Sequence, residues 1–331
     1  MENVEVGDEL IHHFDQNPST LDAIFWLFSR TWCRIVIIGI LVAAISSRNL
    51  LGTVKQHLKA GASNEPIDKS GGQGSRIDLQ SQMSSVRALD FLKVTPTTKH
   101  TASVIFLHGL GDSGRGWAPV ARMLSRNPKL SHIKWILPHA PTEPVTLNGG
   151  MRMPSWFDIE SLDLDEDAAD GGEDAKGMLD SSMAVNRLIT AEIDEANIPA
   201  NRIVVGGFSQ GGALGLLTGL TSERKLAGLV SLSTWLPLSQ KMKSMMTDSA
   251  RMLPIFFGHG TSDPVVQYQF GRRSYEHLKS ALGFPEATGE SISGLTWREY
   301  DGMGHSASEE ELEDLNSWLE KVLPAEDQST S

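Results

Sequence analysis

The chain has 331 residues, 40% of them hydrophobic, and a formal net charge of −12 at pH 7. This length allows one large domain or two small ones with a sizeable core, and the negative charge argues against a nucleic-acid partner. The single cysteine, Cys33, excludes an internal disulfide and a zinc–thiolate site and fits a reducing compartment.

Residues 1–82 differ in composition from the rest of the chain. Ile35–Ile45 is an apolar run of eleven residues flanked by arginines, and as a helix it would cover about 16 Å, roughly half of a bilayer core. Acidic residues follow Met1, unlike the basic start of a signal peptide. Gly61–Ser85 is polar and rich in Gly and Ser, which is typical of a linker. We predict that 1–82 is an N-terminal extension, either non-native or disordered, or an interfacial or anchoring helix, which leaves membrane association open.

From Ser84 onward, short apolar runs alternate with helical patterns. The predicted strands are Ser103–Leu107, Ile133–Leu137, Arg202–Gly206, Leu226–Leu232, Leu253–Phe257 and Leu295–Tyr300. The predicted helices are Trp117–Ser125, Met178–Ala196, Gln210–Leu220, Tyr268–Leu282 and Ser308–Leu323. Buried strands that alternate with helices predict a mostly parallel sheet with helices on both faces. We therefore predict one α/β domain over 83–324 and a short tail over 325–331.

The first predicted strand ends at the sequence HGLGD, residues 108–112. The loop after an early strand of a serine hydrolase supplies a backbone N–H to the oxyanion hole, and glycines on both sides of Leu110 would let its N–H approach a substrate closely. Leu110 is therefore a candidate donor, and the alternative is a plain glycine turn. His108 precedes this donor and is predicted to be structural.

An acidic tract follows the second predicted strand. Eight of the fifteen residues in Glu160–Asp174 are Asp or Glu. The tract has no histidine and no ordered ligand spacing, so it indicates a solvated loop rather than a metal site. We expect the protein to use no metal and no cofactor.

The sequence GFSQG, residues 207–211, lies between an apolar run and a helical pattern rich in small residues. A strand, a turn of the form G-x-S-x-G and a helix together predict a nucleophile elbow, in which a sharp turn exposes the serine at the carboxyl edge of the sheet. Ser209 is the candidate nucleophile. The N–H of Gln210 would open the helix and serve as the second oxyanion donor. The alternative is a glycine-rich turn with an idle serine.

The exits of the last two predicted strands supply an acid and a base. Asp263, in GHGTSDP, stands where the acid of a Ser…Asp…His order belongs, and His305, in GMGHS, follows it just before the final helix. His305 is the candidate general base, which Asp263 would hold in one tautomer. Asp301 is the rival acid, although its position favours a role in the turn, and His259 is predicted to pack within its loop.

The final predicted helix has an amphipathic pattern. Leu312, Leu315, Leu319 and Val322 share one face. Ser308 and Glu311 have the spacing of a capping box, in which each side chain would bond to the backbone N–H of the other.

These segments resemble the acyl-protein thioesterase/carboxylesterase family of α/β-hydrolases. The resemblance covers the chain from about Ala88 to Pro324 and rests on VIFLHGLGDSGRGW (104–117), LPHAPTEPVTLNGG (137–150), MPSWFDI (153–159), NRIVVGGFSQGGAL (201–214), STWLPL (233–238), GHGTSDPVV (258–266) and GMGHSAS (302–308). Gln267 replaces a proline that often ends the aspartate segment in this family, which should not affect catalysis. The family has no counterpart of residues 1–82.

The resemblance implies an α/β-hydrolase fold and hydrolysis of long-chain acyl thioesters, chiefly palmitoyl groups, on protein cysteines. It implies S-acylated substrates such as G-protein α subunits and Ras-type proteins, transient contact with membrane surfaces, and a cytoplasmic and nuclear location. It also implies an apolar acyl channel with Leu147, Trp156 and Phe157 in its wall, for which ordinary core packing is the alternative. The competing functions are a general carboxylesterase or lysophospholipase and a catalytically silent acyl-binding protein, and the presence of Ser209, Asp263 and His305 disfavours the silent protein.

Overall fold

The computed structural model describes residues 88–162, 173–288 and 291–326. The predicted extension over 1–82, with its apolar run, lies outside the described residues, as do most of the acidic tract and the tail beyond residue 326. The domain boundaries at 83 and 324 therefore stay predictions. Within the described part of the chain, no helix is both long and apolar enough to cross a membrane.

A seven-stranded sheet forms the centre of the described region, in the order β1–β3–β2–β6–β7–β8–β9. Its strands are β1 (Phe91–Val94), β2 (Ala102–Leu107), β3 (Ile133–Pro138), β6 (Ile203–Phe208), β7 (Gly228–Leu232), β8 (Ile255–Gly260) and β9 (Leu295–Tyr300). The pairs from β3 to β9 are parallel, and β1 alone is antiparallel to its neighbour. The predicted mostly parallel sheet is confirmed.

Helices cover both faces of this sheet. They are α1 (Gly114–Leu124), α2 (Ala175–Asp194), α3 (Gln210–Leu220), α4 (Ser239–Met245), α5 (Tyr268–Ser280) and α6 (Glu309–Val322). Residues of α1 and α6 share one buried apolar cluster with the sheet, while residues of α2, α3, α4 and α5 share the other. Burial on both faces explains why the central strands read as nearly continuous apolar runs.

The sequence patterns did not predict four short elements. Strand β1 is a half-exposed edge strand of four residues, which gives little periodicity to recognise. Strands β4 (Thr142–Val145) and β5 (Met151–Pro154) pair as an antiparallel hairpin, and a proline in each strand hides the strand pattern. Helix α4 has only seven residues and a single buried side chain, Met242.

The capping box predicted at the start of α6 forms only in half. Ser308 Oγ accepts a hydrogen bond from Glu311 N–H at 3.1 Å, as expected for an N-cap serine. The Glu311 carboxyl does not return this bond, since neither of its oxygens has a hydrogen-bond partner among the described residues. The prediction is wrong for Glu311 because this side chain is fully buried rather than turned back along the helix surface.

Candidate active site

Ser209 lies at the sharp turn between β6 and α3. Its backbone angles are φ 54° and ψ −123°, a strained combination for a residue with a side chain and one found mostly at functional sites. A Cβ at Gly207 would lie 2.4 Å from the carbonyl oxygen of Leu107, and a Cβ at Gly211 would lie 2.3 Å from the same oxygen. Only glycine fits at these two positions, which explains the G-x-S-x-G pattern.

His305 stands between Ser209 and Asp263. Its Nε2 is 3.0 Å from Ser209 Oγ, and its Nδ1 is 2.7 Å from Asp263 Oδ2. The loops after β6, β8 and β9 deliver these three side chains, and the parallel strands end at the same edge of the sheet. The structure therefore brings together the three residues that the sequence nominated as nucleophile, acid and base.

The surroundings of His305 favour one tautomer. Asp263 is buried, and its Oδ1 accepts hydrogen bonds from Val265 N–H at 2.8 Å and Val266 N–H at 3.0 Å. Its Oδ2 faces Nδ1 of His305, so the ring proton belongs on Nδ1 and Nε2 is left to accept from the hydroxyl of Ser209. This arrangement allows His305 to take the Ser209 proton while Asp263 stabilises the resulting imidazolium.

The rival residues have other roles. Asp301 is exposed and accepts a hydrogen bond from Thr261 Oγ1 at 3.1 Å, so it serves the turn after β9. His259 is buried and donates from Nε2 to the Val266 carbonyl at 2.8 Å, and burial lowers its pKa.

His108 is likewise a packing residue. It donates from Nδ1 to the Gly109 carbonyl and accepts at Nε2 from Ala140 N–H, at 2.8 Å and 3.0 Å. Burial lowers the pKa of His108 to about 4, so the ring is neutral at pH 7.

One proposed oxyanion donor, Gln210, directly follows Ser209, and the other, Leu110, follows Gly109, where a Cβ would lie 3.4 Å from the Cβ of Ser209. Gln210 is the first residue of α3, where a backbone N–H has no intrahelical acceptor. The N–H of Leu110 likewise has no backbone acceptor among the described residues, whereas the next residue, Gly111, donates to the Pro154 carbonyl at 2.7 Å. Both N–H groups are therefore available to a substrate oxygen.

The side chain of Gln210 has a bracing role that the sequence analysis missed. It is fully buried and bonds to three consecutive residues of the loop after β5. Its Nε2 donates to Ser155 Oγ at 3.0 Å and to the Phe157 carbonyl at 2.7 Å, and its Oε1 accepts from Trp156 N–H at 3.1 Å. One residue thus offers a backbone N–H beside the nucleophile and fixes the neighbouring loop. Neither PSWFD nor FSQGG contains a local sequence pattern that predicts this long-range contact.

The three predicted wall residues differ in exposure. Trp156 and Phe157 are buried, with 2% and 4% of their surface exposed, and Leu147 packs half-buried against the same apolar cluster. Trp156 Nε1 donates to the His108 carbonyl at 2.8 Å, and Phe157 packs edge-on against Trp235. These contacts hold the loop after β5 against the loops after β2 and β7. A role in an acyl channel stays a prediction.

Asp112 is a titratable residue in the loop that contains Leu110. Burial raises the pKa of this carboxyl to about 6. The carboxyl lies over the first turn of α1, where a Cβ at Gly116 would be 2.3 Å from Asp112 Oδ2. The backbone N–H of Asp112 donates to the Gly109 carbonyl at 3.2 Å, which closes the glycine turn. As the pH rises through about 6, this carboxyl therefore becomes negatively charged two residues after Leu110, a proposed oxyanion donor.

Comparison with known proteins finds relatives that match most of the described region. The model of the Phospholipase/Carboxylesterase family matches residues 91–323. Acyl-protein thioesterase 1 of Cryptococcus neoformans var. neoformans serotype D is 53% identical over 240 residues, which cover 71% of this chain and 98% of the relative. The corresponding Mycosarcoma maydis protein is 48% identical over 235 residues, covering 69% of this chain and 94% of the relative.

Solved structures also include proteins that are similar to this chain. The crystal structure of Zea mays acyl-protein thioesterase 2 is 32% identical with a TM-score of 0.59 and covers 71% of this chain and 99% of that one. Arabidopsis thaliana SOBER1 has the same identity and TM-score and covers 67% of this chain and 99% of its own. The chain therefore belongs to the Phospholipase/Carboxylesterase family and is a serine hydrolase with the α/β-hydrolase fold.

Proposed function

We propose that this protein is an acyl-protein thioesterase that removes long-chain acyl groups, chiefly palmitoyl, from cysteines of S-acylated proteins. The observation that carries the proposal is the continuous hydrogen-bond chain from Ser209 through His305 to Asp263. Similarity to known proteins supports a thioester substrate, because relatives that are 41–53% identical over nearly their whole length are named acyl-protein thioesterase 1.

The proposed first half-reaction acylates Ser209. His305 Nε2 removes the hydroxyl proton as Oγ attacks the thioester carbonyl carbon, and the N–H groups of Leu110 and Gln210 stabilise the oxyanion. The carbon–sulfur bond then breaks, and His305 returns its proton to the leaving cysteine sulfur. Asp263 keeps the ring in place and balances its charge throughout.

The second half-reaction releases the fatty acid. A water molecule gives a proton to His305 Nε2 and attacks the acyl carbonyl, and the bond from that carbon to Ser209 Oγ breaks. The proton returns to Oγ, which regenerates the free hydroxyl. No metal or cofactor takes part in the proposed scheme.

Apolar side chains that follow β4 and β5 suit a long acyl chain. Leu147, Trp156 and Phe157 are proposed to form or support the wall of its channel. Palmitoylated G-protein α subunits and Ras-type proteins are the proposed substrates, reached in the cytoplasm or nucleus by transient contact with membrane surfaces.

A second candidate is a general carboxylesterase or lysophospholipase with the same catalytic residues. The name of the matching family, Phospholipase/Carboxylesterase, supports this second candidate. The two candidates differ in the group that leaves and in the shape of the acyl channel rather than in Ser209, Asp263 or His305.

One experiment separates the candidates. The value of kcat/KM is measured for a palmitoyl-peptide thioester, a lysophospholipid and a short-chain ester. We expect the thioester to give the highest value, and a higher value for either ester would favour the second candidate. Ser209→Ala should lower all three by at least about 10⁴-fold and abolish labelling by a fluorophosphonate probe. Ser280→Ala, which changes an exposed serine of α5, is the matched control and should change neither readout.

A further inference from the structure

Glu311 is a buried carboxyl group to which the proposed mechanism gives no role. Its exposed fraction is 0%, and it is the only carboxyl among the described residues whose two oxygens are both buried without a hydrogen-bond partner. An ionised carboxylate in such a place is costly, because nothing replaces the water that would solvate it. The position therefore favours the protonated, neutral acid.

The backbone of β8 leaves room for this carboxyl. A Cβ at Gly258 would lie 2.4 Å from Glu311 Oε1, so the carboxyl fills the space that a side chain on the strand would take. Gly258 belongs to the strand that leads to Asp263, and Glu311 belongs to the helix that follows His305. The contact thus joins the two elements that deliver the acid and the base to the site.

Within the described part of the chain, no Lys, Arg or His side chain bonds to the Glu311 carboxyl. Tyr300, whose ring lies 3.3 Å from the Gly258 Cβ position, donates its hydroxyl to Asp314 at 3.1 Å. Burial raises the pKa of Tyr300, which keeps the phenol neutral. Arg298 of β9 is paired with Asp314 at 3.3 Å. Burial also raises the pKa of Glu311 well above its usual range, and the carboxylates of Asp263 and Asp314 raise it further.

Asp263 has hydrogen-bond partners for its carboxyl, whereas Glu311 has none among the described residues. Asp263 Oδ1 accepts two backbone N–H groups, and its Oδ2 faces His305. Two buried carboxyls that repel each other do not both ionise readily, and the one with donors keeps the negative charge. The proton therefore belongs on Glu311.

We propose that Glu311 is a positioning residue of the active site, which holds the loops of Asp263 and His305 together as a neutral acid and releases them when it ionises as the pH rises. The inference rests on the proposed function, in which these loops serve Ser209. Once ionised, the carboxylate is repelled by Asp263 and requires solvation by water. It therefore has to move away from Gly258 of β8. The first turn of α6 and the loop of His305 move with it, and the hydrogen bond from His305 to Ser209 is lost.

Glu311→Gln tests the inference, because glutamine keeps the shape of the neutral acid and cannot ionise. Glu310→Gln, the same change at the exposed neighbouring residue, is the matched control. The value of kcat/KM for a palmitoyl thioester is followed between about pH 6 and pH 10. One pH unit above the pKa of Glu311, about a tenth of the wild-type molecules keep the proton, so E311Q should be about tenfold more active than wild type there. E310Q should follow the wild-type profile.

The thermal midpoint Tm supplies a readout that does not depend on activity. A carboxyl whose pKa is higher in the folded state than in the unfolded state contributes stability that is full below the unfolded pKa and is lost as pH rises through the folded pKa. The Tm of E311Q relative to wild type should therefore increase with pH, while that of E310Q stays level. If wild type fails to cleave the thioester, the proposed function is wrong, and this Tm series still tests the protonation of Glu311.

Two results would overturn the inference: the same loss of kcat/KM with rising pH in E311Q and wild type, or a Tm difference that does not change with pH. A residue that only packs would alter Tm by the same amount at every pH and leave the rate profile unmoved. If E311Q does not fold, carbon-13 NMR of wild type labelled at its glutamate carboxyls decides the matter. One glutamate carboxyl must then titrate well above the usual glutamate pKa of about 4.3, and the absence of such a carboxyl would refute the proposal.

Discussion

Ser209 Oγ and His305 Nε2 are 3.0 Å apart although 96 residues separate them in the chain. The contact joins the end of β6 to the loop after β9, with β7 and β8 between them in the sheet. Asp263, at the end of β8, bonds to the other side of the same ring at 2.7 Å. Small shifts of any of these three loops should therefore reduce activity well before they unfold the protein.

Leu110→Pro should remove one proposed oxyanion donor. Proline has no backbone N–H, and loss of a single donor lowers kcat on the order of 10²-fold or more. Leu110→Ala keeps the N–H and is the control, so its kcat should stay close to that of wild type. Steady-state kinetics on a soluble thioester, with circular dichroism to establish folding, measures both. A folded L110P enzyme with near-normal kcat would place the donor elsewhere.

Gln210→Ala should lower both stability and activity. It removes three hydrogen bonds and leaves the buried Trp156 N–H without its acceptor, which costs about 2–4 kcal/mol of unfolding free energy. The loop after β5 would loosen, and with it the bond from Gly111 N–H to the Pro154 carbonyl. Denaturant unfolding and kcat/KM are measured against Gln269→Ala, a change at an exposed residue of α5. Equal unfolding free energies in the two variants would refute the bracing role.

Asp112→Asn should change the dependence of stability on pH. Burial raises the pKa of Asp112 from 3.8 to about 6, so the stability that its protonated form contributes is full below the unfolded pKa and is lost as pH rises through about 6. Asparagine does not ionise. The unfolding free energy of D112N relative to wild type should therefore rise between about pH 4 and pH 7, by at most about 3 kcal/mol. Asp194→Asn, at an exposed site on α2, should show no such trend, and a flat difference for D112N as well would contradict the prediction.

A chain that begins at Met83 should keep full catalytic activity. The family match begins at residue 91, and every proposed catalytic residue lies after it. We expect unchanged kcat/KM on a soluble thioester and unchanged Tm for this shortened chain. An insoluble or inactive product would show that the domain boundary predicted at residue 83 is wrong.

Local sequence patterns were sufficient for the elements that carry the site. GFSQG between an apolar run and a small-residue helix predicted the turn at Ser209, because only glycine tolerates the close approach to the Leu107 carbonyl on either side. The order Ser209, Asp263, His305, each at the end of a predicted strand, nominated the three residues that lie together in the structure. The edge strand β1 and the hairpin of β4 and β5 escaped prediction because short, exposed or proline-containing strands carry little periodicity.

The sequence by itself determined which residues could supply the nucleophile, the acid, the base and the glycine turns, since those requirements fall within a few neighbouring positions. Only the tertiary structure decided how the other polar side chains are used. Glu311 has the spacing of a capping residue, yet it turns inward against Gly258, and Gln210 braces a loop more than fifty residues earlier in the chain. Such choices depend on which distant groups surround a side chain and on whether water can reach it, and the packing of strands and helices sets both.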